Sequence, residues 1–227
     1  MNDLDIYNNN LKKNILIKLR NTINENNFIF GKSVKKLELL LAKFTGSKFV
    51  ISVGSGTDAL MLSLISLNLK KGDEIIIPSF SWLSVIEVVL FLKLKPVFVD
   101  TNIIDFNLDV NHVKKLINSK TKVVISTSLF GRTCNLFELK KILPKRMKLI
   151  EDGAQKFGSI YKRKNSLNIA DISCTSFFPS KNLGSFGDGG AIFTNDKNIN
   201  KSLVQLRNHG QIKYSLTSMK PGLNSRL

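Results

Sequence analysis

The chain has 227 residues, 43% of them apolar and 22% charged, the composition of a soluble globular protein with one sizeable core, and one domain is the default. Its net charge of +17 suggests nucleic acid, an acidic membrane surface or a phosphate-rich substrate, yet the cations are scattered through pairs such as Lys12-Lys13, Lys70-Lys71 and Lys140-Lys141, without a stripe, interleaved stacking aromatics or a reader motif. Solvated lysine faces therefore read better than nucleic-acid binding, and the longest apolar run, Leu83–Leu92, is interrupted by Glu87 and too short for the roughly 18 residues of a membrane span.

The opening Met1-Asn2-Asp3-Leu4-Asp5 lacks the basic-then-apolar order of a signal peptide, which points to a reducing, cytoplasmic setting. A helix pattern over Leu11–Ile23 and a stripe of Val34, Leu37, Leu41 and Phe44 come next; residues 1–30 read as an N-terminal helical segment and 31–227 as one larger domain. From Phe49 onward short β-branched runs alternate with helical patterns. Strands are expected at Phe49–Val53, Glu74–Ile77, Pro96–Asp100, Val123–Ser126 and Lys148–Glu151. Helices are expected at Thr57–Leu69, Trp82–Phe91, Val110–Ile117 and Leu136–Leu143, the second of them buried. Beyond Glu151 the alternation weakens into strand candidates Ile172–Ser176 and Ala191–Thr194 around a Gly-rich stretch, then a helix at Lys197–Arg207. The order predicts an α/β fold with a mostly parallel sheet, helices on both faces, and binding sites in loops at the carboxyl ends of the strands. Cys134 and Cys174, forty residues apart without CxxC spacing, read as core or loop residues.

Three stretches carry candidate chemistry. Strand Phe49–Val53 runs through Gly54-Ser55-Gly56-Thr57-Asp58-Ala59 into a helix, a turn that aims free N–H groups and a positive dipole end at an anion such as phosphate. The same residues satisfy G-x-G-x-x-A, so a dinucleotide-dependent oxidoreductase is a rival reading, and a ligand-free tight turn a bland one. Leu149-Ile150 leads into Glu151-Asp152-Gly153-Ala154-Gln155, an acid at the carboxyl end of a strand, where a helix cap is the plainer reading. Last, Lys181 sits in Ser176-Phe177-Phe178-Pro179-Ser180-Lys181, before Gly187-Asp188-Gly189-Gly190. Apolar rings disfavour an ammonium charge, and a neutral amine is the nucleophile that condenses with an aldehyde.

Ser-Gly-Thr-Asp-Ala-Leu from Ser55, Glu-Asp-Gly-Ala-Gln from Glu151, Ser-Phe-Phe-Pro-Ser-Lys from Ser176 and Arg-Asn-His-Gly from Arg207 occur in the order and spacing of the DegT/DnrJ/EryC1/StrS family, with Pro78-Ser79-Phe80-Ser81-Trp82 between the first two. The chain resembles that family over essentially its whole length. The resemblance implies the aspartate-aminotransferase fold type, a seven-stranded-type sheet, and pyridoxal 5'-phosphate as cofactor. It makes Lys181 the Schiff-base lysine and Asp152 the partner of the pyridine nitrogen. Gly56, Thr57 and Ser176 match the phosphate cradle, Gln155 the contact to the ring hydroxyl, and Trp82 the aromatic on the ring, with core packing as the competing role of Trp82. Asn224 resembles the asparagine lent across a homodimer to the partner's phosphate; His209 reads as either a structural histidine or a substrate contact. Lysine at position 181, where dehydratase members carry histidine, favours amino transfer.

Within the family, Ser128-Leu129-Phe130-Gly131 and the run from Cys174 to Asp196 look closest to enzymes that aminate the 3-keto group of a UDP-N-acetylhexosaminuronic acid, with glutamate as amino donor, in surface-polysaccharide biosynthesis. Family members usually continue into a smaller C-terminal domain, and the chain stops short of it. Uncovered apolar surface, low stability and weak activity of the chain by itself are therefore expected, with a non-catalytic cofactor-binding remnant as the alternative.

Overall fold

The computed structural model describes residues 4–211, 218 and 221–227, with side chains from Leu11 onward; residues 1–3 of the expected N-terminal segment lie outside the described residues. Two helices come first, α1 (Leu4–Glu25) and α2 (Lys32–Thr45). Gly46 ends α2 in the left-handed region, its N–H bonding the Ala42 carbonyl, a helix stop that glycine adopts without a Cβ penalty. The alternating body comprises β1 (Phe49–Val53), α3 (Gly56–Ser66), β2 (Glu74–Pro78), α4 (Ser84–Phe91), β3 (Lys95–Val99), α5 (Val110–Leu116), β4 (Thr121–Thr127), α6 (Leu136–Ile142) and β5 (Lys148–Asp152). A small hairpin, β6 (Ile160–Tyr161) and β7 (Lys164–Asn165), precedes β8 (Ile172–Ser176), β9 (Gly190–Thr194) and α7 (Lys197–Leu206).

Seven strands form one sheet in the order β1-β9-β8-β5-β4-β2-β3, with β9 antiparallel to both neighbours and the remaining pairs parallel. The expected α/β class is thus the observed one. Alternation along β2 explains the layers: Ile75 and Ile77 join a core with Leu60, Leu64, Val88 and Leu203 of α3, α4 and α7, while Ile76 joins Val113, Leu136 and Leu139 of α5 and α6. Val50, Phe193 and Leu41 of α2 close a third cluster beside β1 and β9.

Three expectations need correction. The Leu83–Leu92 run is not a wholly buried helix: α4 buries Val85, Val88 and Val89, whereas Leu83, Leu90 and Phe91 on its other side are exposed. Apolar composition all round the helix hid which face packs. Cover of the sheet is incomplete at β3, an edge strand whose Phe98 is half exposed. The dinucleotide reading also fails, because that fingerprint belongs to a first strand at the centre of its sheet, and here β1 is the edge strand.

Candidate active site

The carboxyl ends of β1, β8, β5 and β4 meet at one end of the sheet, as register dictates: Val53 pairs Gly190, Ser176 pairs Gly190, Asp152 pairs Cys174, and Thr127 pairs Asp152. Gly190 permits this convergence, since a Cβ there would lie 2.6 Å from the Ser55 carbonyl oxygen. Between these strand ends opens a cavity of about 430 Å³ lined by Gly56, Thr57, Trp82, Asp152, Gln155, Ser176 and Lys181, so seven residues from separate motifs converge. A larger, more open depression of about 620 Å³ lies at the opposite end of the sheet, around Lys148 and Asp171, and gathers no comparable set. Cavity size alone would point to the wrong end of the molecule; converging chemistry at the strand ends decides between them.

The floor is Asp152. Burial raises its carboxyl to about 6, opposed by the N–H of Ala154, which donates to Oδ1 at 3.1 Å, and by the nearby Lys181. Beneath it lies a feature with no clear sequence signal: Lys156 and Glu151, both fully buried, form an ion pair. Ser128 and Ser173 donate hydroxyl hydrogens to the two Glu151 oxygens at 2.8 and 3.2 Å, so both oxygens of the acid accept a hydrogen bond. Burial pushes the Lys156 ammonium below the usual lysine range, while Glu151 pulls the other way. The Lys156 stem runs under Gly153, where an added Cβ would meet its Cε at 3.0 Å.

One wall is the start of α3. Ser55 caps the helix by accepting the Asp58 N–H at 3.0 Å, leaving the Gly56 and Thr57 N–H groups without a protein acceptor among the described residues. A Cβ on Gly56 would approach the Ser176 Cβ to 2.8 Å, so the sequence needs glycine for the turn to sit against Ser176. The facing wall is the loop from Phe177 to Gly189. Ser185 ties it through Phe177 and Gly187 carbonyls at 2.8 and 2.6 Å, and a turn from the Phe178 carbonyl to the Lys181 N–H brings Lys181 to the cavity.

At the rim Trp82 is 70% exposed, which overturns core packing as its role. Gln155 accepts the Phe130 N–H at 2.8 Å through Oε1, leaving its amide NH₂ available. That bond holds Phe130 in the left-handed region, φ 55°, with its ring exposed. Asn224 does not line the cavity of its own chain. It is exposed, pairs with Asn208 in an isolated bridge, and accepts from Arg226 Nε at 2.7 Å. His209 is also outside the cavity lining. Thr127, Ser128, Phe178 and Asp188 line the cavity without having been singled out as site residues. Hydroxyls at the end of a β-branched strand were the available signal for Thr127 and Ser128.

Among the described residues no group of His, Cys, Asp and Glu could hold a metal ion. Both cysteines are buried and free, and burial raises both thiols, Cys134 to about 12. Among the same residues no helix is long and apolar enough to cross a membrane. The donor set suits a phosphorylated pyridine aldehyde: an amine for the aldehyde, a carboxylate for a protonated ring nitrogen, and paired N–H groups beside the Ser176 hydroxyl for phosphate.

Residues 9–227 match the model of the DegT/DnrJ/EryC1/StrS aminotransferase family. A UDP-2-acetamido-2-deoxy-3-oxo-D-glucuronate aminotransferase of Pseudomonas aeruginosa is 40% identical over 218 residues, 96% of this chain and 60% of that enzyme. An Acidithiobacillus ferrooxidans UDP-N-acetyl-3-dehydro-alpha-D-glucosamine 3-aminotransferase is 35% identical, over 88% of this chain and 54% of its own length. Among solved structures, a Brucella abortus DegT DnrJ EryC1 StrS aminotransferase superposes with TM-score 0.95 at 29% identity, covering 99% of this chain and 62% of that one. NtdA of Bacillus subtilis, solved with bound cofactor PMP, superposes with TM-score 0.91 at 30% identity over 96% of this chain and 50% of its own. The chain thus spans about 60% of the length of the first of these relatives.

Proposed function

The chain belongs to the DegT/DnrJ/EryC1/StrS aminotransferase family, and from that premise we propose that it binds pyridoxal 5'-phosphate and serves the transfer of an amino group from glutamate to the keto group of a nucleotide-linked sugar. The sugar is a UDP-3-keto-N-acetylglucosaminuronate, a choice supported by the name of the Pseudomonas relative, and the product feeds cell-surface polysaccharide. Residues 31–227 act as the cofactor-binding domain, residues 1–30 as a separate helical segment, and the setting is cytoplasmic.

When bound, the cofactor supplies an aldehyde that receives the amino group and a ring that acts as electron sink. Lys181 would provide the amine that holds that aldehyde, and its Nζ would be the group that takes up and returns a proton. Asp152 would pair with the ring nitrogen; a positive charge there would offset the burial that otherwise keeps its carboxyl at about 6. The N–H groups of Gly56 and Thr57 and the hydroxyl of Ser176 would hold the phosphate, the Gln155 amide would donate to the ring hydroxyl, and Trp82 would supply the aromatic contact to the ring. In a homodimer Asn224, exposed and outside its own cavity, reaches the partner's phosphate.

One observation carries the reading: Lys181 and Asp152 face a single cavity whose other wall is the open helix start at Gly56. The test is spectroscopic. Purified protein mixed with pyridoxal phosphate is expected to absorb in the visible, and Lys181→Ala to lose the band and all transfer. No band in the unmodified protein sinks the proposal. A band that glutamate does not bleach selects the second reading, cofactor binding without amino transfer.

A further inference from the structure

The last described stretch, residues 221–227, crosses the back of the helix start. Leu223 donates to the Leu206 carbonyl at 2.8 Å, its own carbonyl receives the His209 N–H at 2.9 Å, and Ser225 donates its N–H to the Arg207 carbonyl at 3.0 Å. Gly222 passes so close to Gly210 that a Cβ would lie 2.3 Å from the Gly210 nitrogen. The seating places one hydroxyl where two groups of the phosphate turn need it. Ser225 is 1% exposed; its Oγ accepts the Gly54 N–H at 3.0 Å and donates to Asp58 Oδ2 at 2.7 Å.

Asp58 is the third residue of α3, and a carboxylate at that position ordinarily folds back towards the N–H of the cap residue, here Ser55. In doing so it would stand beside the N–H groups of Gly56 and Thr57, compete for them and repel an incoming anion. In the structure Asp58 is turned to the rear of the turn, against Gly54 and Ser225. We propose that Ser225 is a positioning residue for phosphate: it clamps Gly54 and holds the Asp58 carboxylate away from the N–H groups that receive the anion. The inference rests on the reading that this turn takes the cofactor's phosphate.

The test compares pyridoxal phosphate with pyridoxal, which lacks only the group in question. Trp82 is the only tryptophan and lines the cavity, so quenching of its fluorescence reports dissociation constants for both compounds on ligand-free protein. Ser225→Ala is expected to lower the preference for the phosphorylated compound by roughly fivefold, the scale of one unit-charge repulsion at about 4 Å in water, while pyridoxal binding holds. Ser225→Thr keeps the hydroxyl and restores the preference. In an Asp58→Asn background, with no carboxylate to restrain, Ser225→Ala costs less than about twofold. Where Ser225→Ala does not fold, Ser225→Cys, a weaker donor of similar size, carries the test with a smaller fall in the same direction. An equal weakening of both compounds, or an unchanged ratio, overturns the proposal, because a merely structural serine acts on both alike. If the unmodified protein does not prefer the phosphorylated compound, the phosphate reading of the turn fails first, and the inference with it.

Discussion

The floor and the rim of the cavity are built on opposite terms. At the floor, Asp152, Glu151 and Lys156 are buried, their polar atoms are matched by Ser128, Ser173 and the Ala154 N–H, and a glycine makes room for the lysine stem. At the rim, Trp82, Phe130 and Phe178 stand about half exposed or more, and Phe130, in an unfavourable backbone region, donates its N–H to the Gln155 side chain. Burying charge costs stability unless every partner is in place, whereas an exposed ring costs the fold little. The floor is therefore where a substitution damages folding and chemistry together, and the rim is where binding can change while the fold stands.

Substitutions order this contrast by size. The largest stability effect is expected from Lys156→Met, which leaves Glu151 buried without its cation and costs about 3–5 kcal/mol in urea unfolding. Adding Glu151→Gln should recover most of that loss, and a Lys156→Met protein as stable as the parent would remove the pair from the account. Asp152 comes next, with the opposite sign. Its folded carboxyl, at about 6, lies above the ordinary 3.8, so its contribution to stability is full below about pH 4 and lost as pH rises through 6. Ligand-free protein at pH 7 to 8 then bears a cost of about 3 kcal/mol. Asp152→Asn is expected to relieve that cost, flatten the stability profile between pH 4 and 6, and cripple turnover; an unchanged pH profile would contradict the buried-acid account. The smallest effect belongs to Trp82→Ala. Thermal unfolding should shift by no more than about 0.5 kcal/mol, while cofactor affinity drops by about 1 kcal/mol. A large stability loss there would make the rim part of the core.

The same contrast marks what could be read from the residues. Runs such as Glu74–Ile77 and Val123–Ser126 announced their strands because buried parallel strands are largely β-branched, and strand order placed the chemistry at the carboxyl ends. Seven of the eight candidate site residues line one cavity because each sits in a short motif beside a strand end. Lys156 gave no warning, since a lysine one position after Gln155 reads as solvent-facing until the fold tucks its stem beneath Gly153. Ser225 was equally silent: its hydroxyl meets Gly54 across 171 positions, a contact no local pattern encodes. The outward side of α4 failed for another reason, as an apolar helix carries no periodic clue to which face remains exposed.

The reversed strand β9 has a consequence in time. Among the described residues β1 has no sheet neighbour other than β9, and Val53 finds Gly190 across 137 positions, so during synthesis the first strand to leave the ribosome is among the last to be docked. Until then the anion-facing turn is anchored on one side by α3, which packs with β2 and α4, and on the other by an unpaired strand. Holding that strand ready falls to chaperones or to early packing of α2 over β1, and mutations that weaken β9 should surface first as aggregation of nascent chains rather than as altered kinetics of the mature protein.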